Sequence, residues 1–189
     1  MKQIKNAIVI FVVFTILLGI IYPLAITGVS QLAFPVQANG NLIRDSGKVV
    51  GSQLIGQNFS SPSYFHGRPS VIDYNSSTSG GSNFGPTNKK LIDNITLRMQ
   101  QLKVEDSLPA NVTVPADLVL ASGSGLEGYI YVDSAMIQVP RIARTRGISE
   151  SEVEKLIKSN QENTFFGFGK EIVNVLKLNL ALDNLKKGK

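Results

Sequence analysis

Side chains capable of chemistry are few in this chain of 189 residues, and their scarcity narrows what it can do. There is no cysteine, which removes disulfides, thiolate metal sites, cysteine nucleophiles and lipid attachment at a lipobox together. His66 is the single histidine, so no pair of imidazoles can hold a metal. A Ser-His-Asp triad would have to use His66, which stands between Phe65 and Gly67 in an aromatic loop. A histidine that packs the loop is the simpler reading. The pattern G-x-x-x-x-G-K-[ST] is absent, and with it the usual backbone cradle and lysine for nucleotide phosphates.

Two Gly-rich stretches and one arginine remain. Ser79, Gly80, Gly81, Ser82 and Asn83, followed by Gly85-Pro86, can expose backbone N–H groups and two hydroxyls. That is anion-binding geometry if the turn forms a nest, and a tight structural turn if it does not. Positive φ is expected at Gly80 and Gly81, where β-branched residues would deform the loop. Ser122-Gly-Ser-Gly125 is a weaker version of the same pattern, and a hydrolase using Ser124 with a lysine base has no partner set by spacing. Arg68 lies in Tyr64-Phe-His-Gly-Arg-Pro69, held between Gly and Pro with Tyr64 and Phe65 in reach to stack on it. It either clamps its own loop or grips a partner's carboxylate.

These residues need elements to position them. A hairpin is predicted from Asn41–Arg44, the turn Asp45-Ser-Gly47, then Lys48–Val50 and Ser52–Ile55, with Gly47 supplying positive φ. Residues 60–87 are mostly Ser, Gly, Pro and Asn, with Tyr64, Phe65, Tyr74 and Phe84 between them. A loop this long in a compact domain is functional or disordered, and the aromatics argue against disorder. A helix fits Asn88–Lys103, with Asn88 as its cap. Val112–Val114 and Leu118–Leu120 read as short strands. Asp133 is expected to cap a helix through Ile142 that Pro140 ends or kinks. Ser149 and Glu152 have capping-box spacing for a helix to Lys158. The last segment, Asn174–Lys187, carries a Leu stripe that is also partly alternating, as in a strand entering a helix. The fold class expected is mixed α+β.

The first 30 residues are of another kind. From Ala7 to Ile26 the chain carries no charge, and about 20 such residues at 1.5 Å each span a bilayer core. Thr15 can bond back to its own helix, Pro23 lies near the far end of the run, and Tyr22 suits the interfacial belt. A cleaved signal peptide has an apolar region of about 7–15 residues, shorter than this one. We therefore expect a retained anchor at 1–30, spanning about 7–27, then a hinge at 31–41 and a domain at 42–189. Lys2 and Lys5 precede the helix, whereas Thr27–Ile43 has no Lys or Arg. Basic flanks stay in the cytoplasm, so the N-terminus is expected inside and the domain outside the cell membrane. Beyond the anchor, seventeen basic residues face fourteen acidic ones. That mild excess is no nucleic-acid footprint. Lys89-Lys90, Arg141/Arg144/Arg146 and Lys186-Lys187-Lys189 read as solvated surface.

The succession Tyr64-Phe-His-Gly-Arg-Pro-Ser70, Tyr74-Asn75, Ser79–Pro86, Val114–Val119, Ala121–Leu126, Gln138-Val139, Arg141-Ile-Ala143 and Val173–Asp183 closely resembles the C subunit of the Kdp potassium-transporting ATPase. The likeness spans the whole chain. It departs at His66, where a bulkier aromatic is expected, and at Pro140, where a small residue is commoner. The resemblance implies an accessory subunit in a complex with a potassium-binding KdpA, a P-type ATPase subunit KdpB and often a small peptide KdpF. ATP and potassium belong to that complex, and no cofactor is expected on this chain. A non-catalytic role suits the lack of an Asp-Lys-Thr-Gly phosphorylation motif and of a Thr-Val-Gly-Tyr-Gly filter. The family's proposed role is a catalytic chaperone that raises the ATP affinity of the pump subunit. Ser79–Asn83 loosely resembles the Leu-Ser-Gly-Gly-Gln element of transporter ATPases, yet the expected topology puts it on the wrong side for ATP. Arg68, Gln138, Arg141 and, in the anchor, Gly19 are the candidate partner contacts. The alternative from another class is a membrane-anchored extracytoplasmic module that binds a glycan or peptide.

Overall fold

A computed structural model describes residues 1–163 and 169–187, with only the backbone of Lys186 and Lys187. The side chains of the basic tail Lys186-Lys187-Lys189 lie outside the described residues. The chain divides into two compact units, Met1–Ser52 and Gln53–Lys189.

In the first unit one helix runs from Lys2 to Ala33, long and apolar enough to cross a membrane. It consists of α1 (Lys2–Ile16), a π-helical turn (Leu17–Ile21) and α2 (Tyr22–Ala33). Pro23 is therefore interior to the helix and not near its end, as the apolar run alone suggested. Proline lacks an N–H and its ring crowds the carbonyl four residues back, here that of Gly19. The wider π turn just before it absorbs the mismatch without ending the helix. Thr15 and Thr27 bond back to the carbonyls of Phe11 and Pro23, each at 2.8 Å. A short turn, α3 (Pro35–Ala38), precedes Gly40 and Asn41, both at positive φ. The hairpin forms as expected, with β1 (Leu42–Asp45) antiparallel to β2 (Lys48–Ser52) and a register shift between Ile43 and Arg44. Ser46 and Gly47 take positive φ in its two-residue turn. The strand ends at Ser52, so Gln53–Ile55 is not part of it.

The second unit is mixed helix and sheet. Helix α4 (Lys89–Glu105) begins as predicted, with the Asn88 side chain accepting the Lys90 N–H. Val112–Val114 and Leu118–Leu120 are not strands. Pro115 instead stands at the N-cap of a short helix, α5 (Ala116–Val119), and its carbonyl accepts the Leu118 N–H at 3.2 Å. Strand β3 (Tyr129–Tyr131) runs straight into α6 (Val132–Ile137), and α7 (Val139–Arg146) follows a break at Gln138. Asp133 is not the cap of α6. The carboxylate of Asp117, from α5, receives the Tyr131 N–H at 2.8 Å and the Ser134 hydroxyl at 2.5 Å. Pro140 sits in the first turn of α7, which is why the helix breaks two residues earlier. Helix α8 (Glu150–Asn160) carries the full Ser149/Glu152 capping box. Strands β4 (Gln161–Glu162) and β5 (Ile172–Asn174) complete an antiparallel sheet in the order β3-β5-β4. Helix α9 (Val175–Lys187) leaves β5 directly, so a strand does enter a helix, although the Leu alternation itself lies within the helix.

The main core joins the inner faces of this sheet and α6–α9 through Ile130, Ile142, Ile157, Val173, Leu178 and Leu182, with Phe65 inserted from the long loop. A smaller core of Leu102, Val114, Leu118 and Val119 ties α4 to α5.

Candidate functional site

Residues 53–88 contain no helix or strand, so their backbone must find partners elsewhere or pay for burial. From Pro62 to His66 it finds them in side chains. The Asn179 amide accepts the Phe65 N–H at 2.8 Å and donates to the Phe65 carbonyl at 3.0 Å. Gln138 does the same for His66, at 2.8 and 3.2 Å. Arg141 donates to the carbonyls of Pro62 (2.6 Å) and Tyr64 (2.9 Å), and Arg146 to that of Ser63 (2.6 Å). Helices α7 and α9, with Gln138 at the break before α7, thus read five successive carbonyls much as a neighbouring strand would.

The clamp carries its own buried counter-charge. Arg141 Nε pairs with Asp106 at 2.7 Å, and Nη2 donates to Gln138 at 2.7 Å. Arg141, Gln138 and Asp106 are at most 1% exposed. Burial pushes the Asp106 carboxyl above its usual range, against the pull of Arg141. Arg146 lies 4.8 Å over the Tyr64 ring and pairs with Asp183 at 2.9 Å, while the Tyr64 hydroxyl donates to the same carboxylate at 3.0 Å. Tyr64 therefore stacks on Arg146 and not on Arg68, and Phe65 is wholly buried in the core. His66 packs the loop: its Nε2 is 3.1 Å from the Ser61 carbonyl and its Nδ1 is 3.7 Å from Glu105. Burial, and then the nearby Arg141, hold its pKa below the ordinary histidine value.

The two Gly-rich stretches meet each other. Gly80 N–H and the Ser79 hydroxyl both donate to the Ser124 carbonyl, at 2.9 and 3.2 Å. A Cβ on Gly81 would stand 3.0 Å from the Gly123 carbonyl oxygen. Neither Gly80 nor Gly81 has positive φ; in this loop it falls on Asn83, at 53°. Glycine is needed at 81 for close approach and not for backbone twist. The nest reading loses one donor, since the Gly80 N–H is already engaged. Ser124 Oγ accepts the Leu126 N–H at 3.1 Å, and among the described residues no lysine bonds to it.

Between the aromatic segment and α4 lies an open cleft of about 360 Å³, lined among others by Phe59, His66, Arg68, Arg98, Glu105 and Leu118. Arg68 points its Nη2 at the Leu120 carbonyl, 3.5 Å away. Tyr74, at φ 57°, donates its hydroxyl to the Arg68 carbonyl, and burial pushes that phenol up to about 12. Arg68 thus ties its loop to the end of α5.

Comparison with known proteins decides the larger question. The family model KdpC, described as K+-transporting ATPase, c chain, matches residues 4–184. The chain belongs to the KdpC family. It is 48% identical over 187 residues to the potassium-transporting ATPase KdpC subunit of Mycobacterium bovis BCG, covering 97% of this chain and 99% of that one. The KdpC subunits of Rhodopseudomonas palustris (46%, 97% of each chain) and a Janthinobacterium (50%, 95% and 96%) are similar in extent. KdpC membership makes this chain a subunit of a potassium-transporting ATPase, and the separate glycan- or peptide-binding module finds no support in these relatives.

Of the residues singled out as KdpC partner contacts, Gln138 and Arg141 face inward and build the clamp. Arg68 is half-buried at the cleft, and Gly19 lies in the π turn with nothing within 4 Å of its Cβ position. Sequence reasoning missed Asn179, Asp106, Arg146 and Asp183 as clamp members. One signal was present: Asn179 and Asp183 interrupt the Leu face of α9 one turn apart, and a polar residue on an apolar face needs a buried partner.

Proposed function

We propose that this KdpC chain is a non-catalytic accessory subunit, anchored by its N-terminal helix with Lys2 and Lys5 in the cytoplasm and its domain outside. The observation that carries this reading is the charge asymmetry across the helix, since no Lys or Arg follows it until Arg44. The partners are the potassium-binding KdpA-type and ATP-hydrolysing KdpB-type subunits, with a KdpF-type peptide and membrane lipid around the anchor. ATP and potassium are handled by the complex, and this chain holds neither as a cofactor. Any effect on ATP affinity passes through conformational coupling, which is reciprocal between sites, and not through contact of Ser79–Asn83 with nucleotide. The engagement of the Gly80 N–H by Ser124 supports that exclusion.

Assembly uses two tethered contacts, the helix and the domain, which reinforce each other through effective concentration. Gly19, Ala25 and Gly28 let a partner helix approach closely where burial supplies no drive. Gly19→Val is expected to weaken assembly more than Val12→Leu.

The deciding measurement is potassium-dependent ATP hydrolysis by the purified complex with and without this subunit. Normal assembly and pumping in its absence would remove the accessory role. Orientation has its own test, because the chain has no native cysteine: Asn39→Cys in intact cells should react with an impermeant maleimide. Reaction only after lysis would reverse the topology.

A further inference from the structure

Four arginines of the domain are drawn inward, and they differ in what they meet. Arg141 and Arg146 each pair with an aspartate, at 2.7 and 2.9 Å. Arg68 and Arg98 meet only neutral carbonyls. Arg98, on the α4 face that also carries Ile95 and Leu102, donates its Nη1 to the Val119 carbonyl at 3.0 Å. Arg68 reaches the next carbonyl, Leu120, from the opposite loop. Both arginines line the same cleft and hold consecutive carbonyls at the end of α5. Among the described residues neither has a carboxylate within 4 Å, and Arg68 Nε is buried without a partner.

Apart from Asp73, the acids nearby are engaged elsewhere. Glu105 lies 3.7 Å from His66 Nδ1 and 3.9 Å from Arg141 Nε. On the far side of Arg68, Asp117 holds Tyr131 and Ser134, and Glu127 accepts the Tyr129 N–H at 3.2 Å. Asp73 is exposed and also lines the cleft. Each guanidinium has five donors, and most of those of Arg68 and Arg98 are unspent. Two half-buried like charges repel unless an anion lies between them.

We propose that this cleft is a carboxylate-binding site, with Arg68 and Arg98 as a two-guanidinium fork and Phe59, Leu102 and Leu118 as the wall for the ligand's stem. This goes beyond the subunit role and does not depend on it. The volume sits at the small end of ligand pockets, about 300–1,000 Å³, so the ligand is short. Glu105 and Asp73 in the lining favour a monoanionic group over a phosphate dianion. The carboxylate comes either from a free small acid or from an acidic side chain of a partner subunit.

The test uses the full chain in neutral detergent, titrated calorimetrically at fixed ionic strength with succinate and, separately, with acetyl-Gly-Glu-Gly-amide. Saturable binding of at least one probe is expected, not reproduced by chloride or phosphate. Arg68→Gln and Arg98→Gln should each weaken it at least about tenfold, with the fold checked by circular dichroism. Tighter binding of the peptide assigns the site to a partner's side chain, and tighter binding of succinate to a free acid. Phenylglyoxal modification of the unaltered chain keeps the test independent of variant folding: the bound probe should protect Arg68 and Arg98 but not the exposed Arg44. Absence of saturation, equal binding of phosphate, unchanged binding in both folded variants, or no selective protection overturns the proposal.

Discussion

The segments Pro62–His66 and Ser79–Asn83 both lack regular structure and both belong to the same loop of the second unit, yet they are held by different means. The first is gripped by side chains, two amides and two guanidiniums that satisfy successive backbone groups inside the domain. The second is held mainly through its backbone, with Gly80 and the Ser79 hydroxyl bonded to Ser124 and Gly81 against Gly123. A side-chain clamp stakes buried polar or charged groups on each member, because loss of one leaves the others desolvated and unpaired. A glycine contact stakes only space, and its tolerance depends on which Cβ position is blocked. The clamp should therefore fail abruptly and the Gly-rich loop by degrees.

Arg141→Met is the most severe test of that contrast. It strands Asp106 at 0% side-chain exposure and leaves two carbonyls unpaired, a loss on the order of 3–5 kcal/mol for breaking a buried ion pair. Denaturant unfolding of the full chain measures it, and a loss below about 1 kcal/mol would equate clamp and loop. Gly81→Val comes next. Its Cβ meets the Gly123 carbonyl oxygen at 3.0 Å, so a cost of about 1–3 kcal/mol from overpacking is expected in the same assay.

A smaller effect comes from pH. The folded pKa of His66 lies below the ordinary histidine value because of burial and Arg141. A depressed pKa contributes stability that is present above about pH 6.5 and lost as pH falls through the lowered folded value. Asp106, whose carboxyl is raised, works in the opposite direction at acid pH, so the comparison must be made against a variant. Between pH 7.5 and 5 the unfolding midpoint of the native chain should fall more than that of His66→Phe. Parallel curves would show that His66 does not titrate within the clamp. The smallest effect belongs to Gly80→Ala, whose Cβ meets nothing within 4 Å and whose φ is not positive. A change within about 0.5 kcal/mol is expected, and a loss as large as that at Gly81 would mean the loop needs both glycines.

Much of the fold was legible because its signals are local. Asn88, the Ser149/Glu152 box and Gly47 act through neighbours two or three residues away, so their spacing alone predicts the helix starts and the hairpin turn. The error at Asp133 has a long-range cause, unlike that at Leu118–Leu120, where Pro115 starts a helix. Asp117 bonds to Tyr131 and Ser134 across the chain, and no short-range pattern encodes a carboxylate supplied from another element.

The apolar run, its charge asymmetry and the ordered set of loop motifs were determined by the sequence by itself, because hydropathy and residue order need no neighbours in space. Only the tertiary structure decided that Gln138 and Arg141 turn inward, that Tyr64 stacks on Arg146, and that Arg68 and Arg98 line one cleft with no counter-ion among the described residues. Those facts depend on which desolvated groups find each other across long sequence separations. A guanidinium reads the same in the sequence whether its partner is an aspartate, a carbonyl or an open cleft.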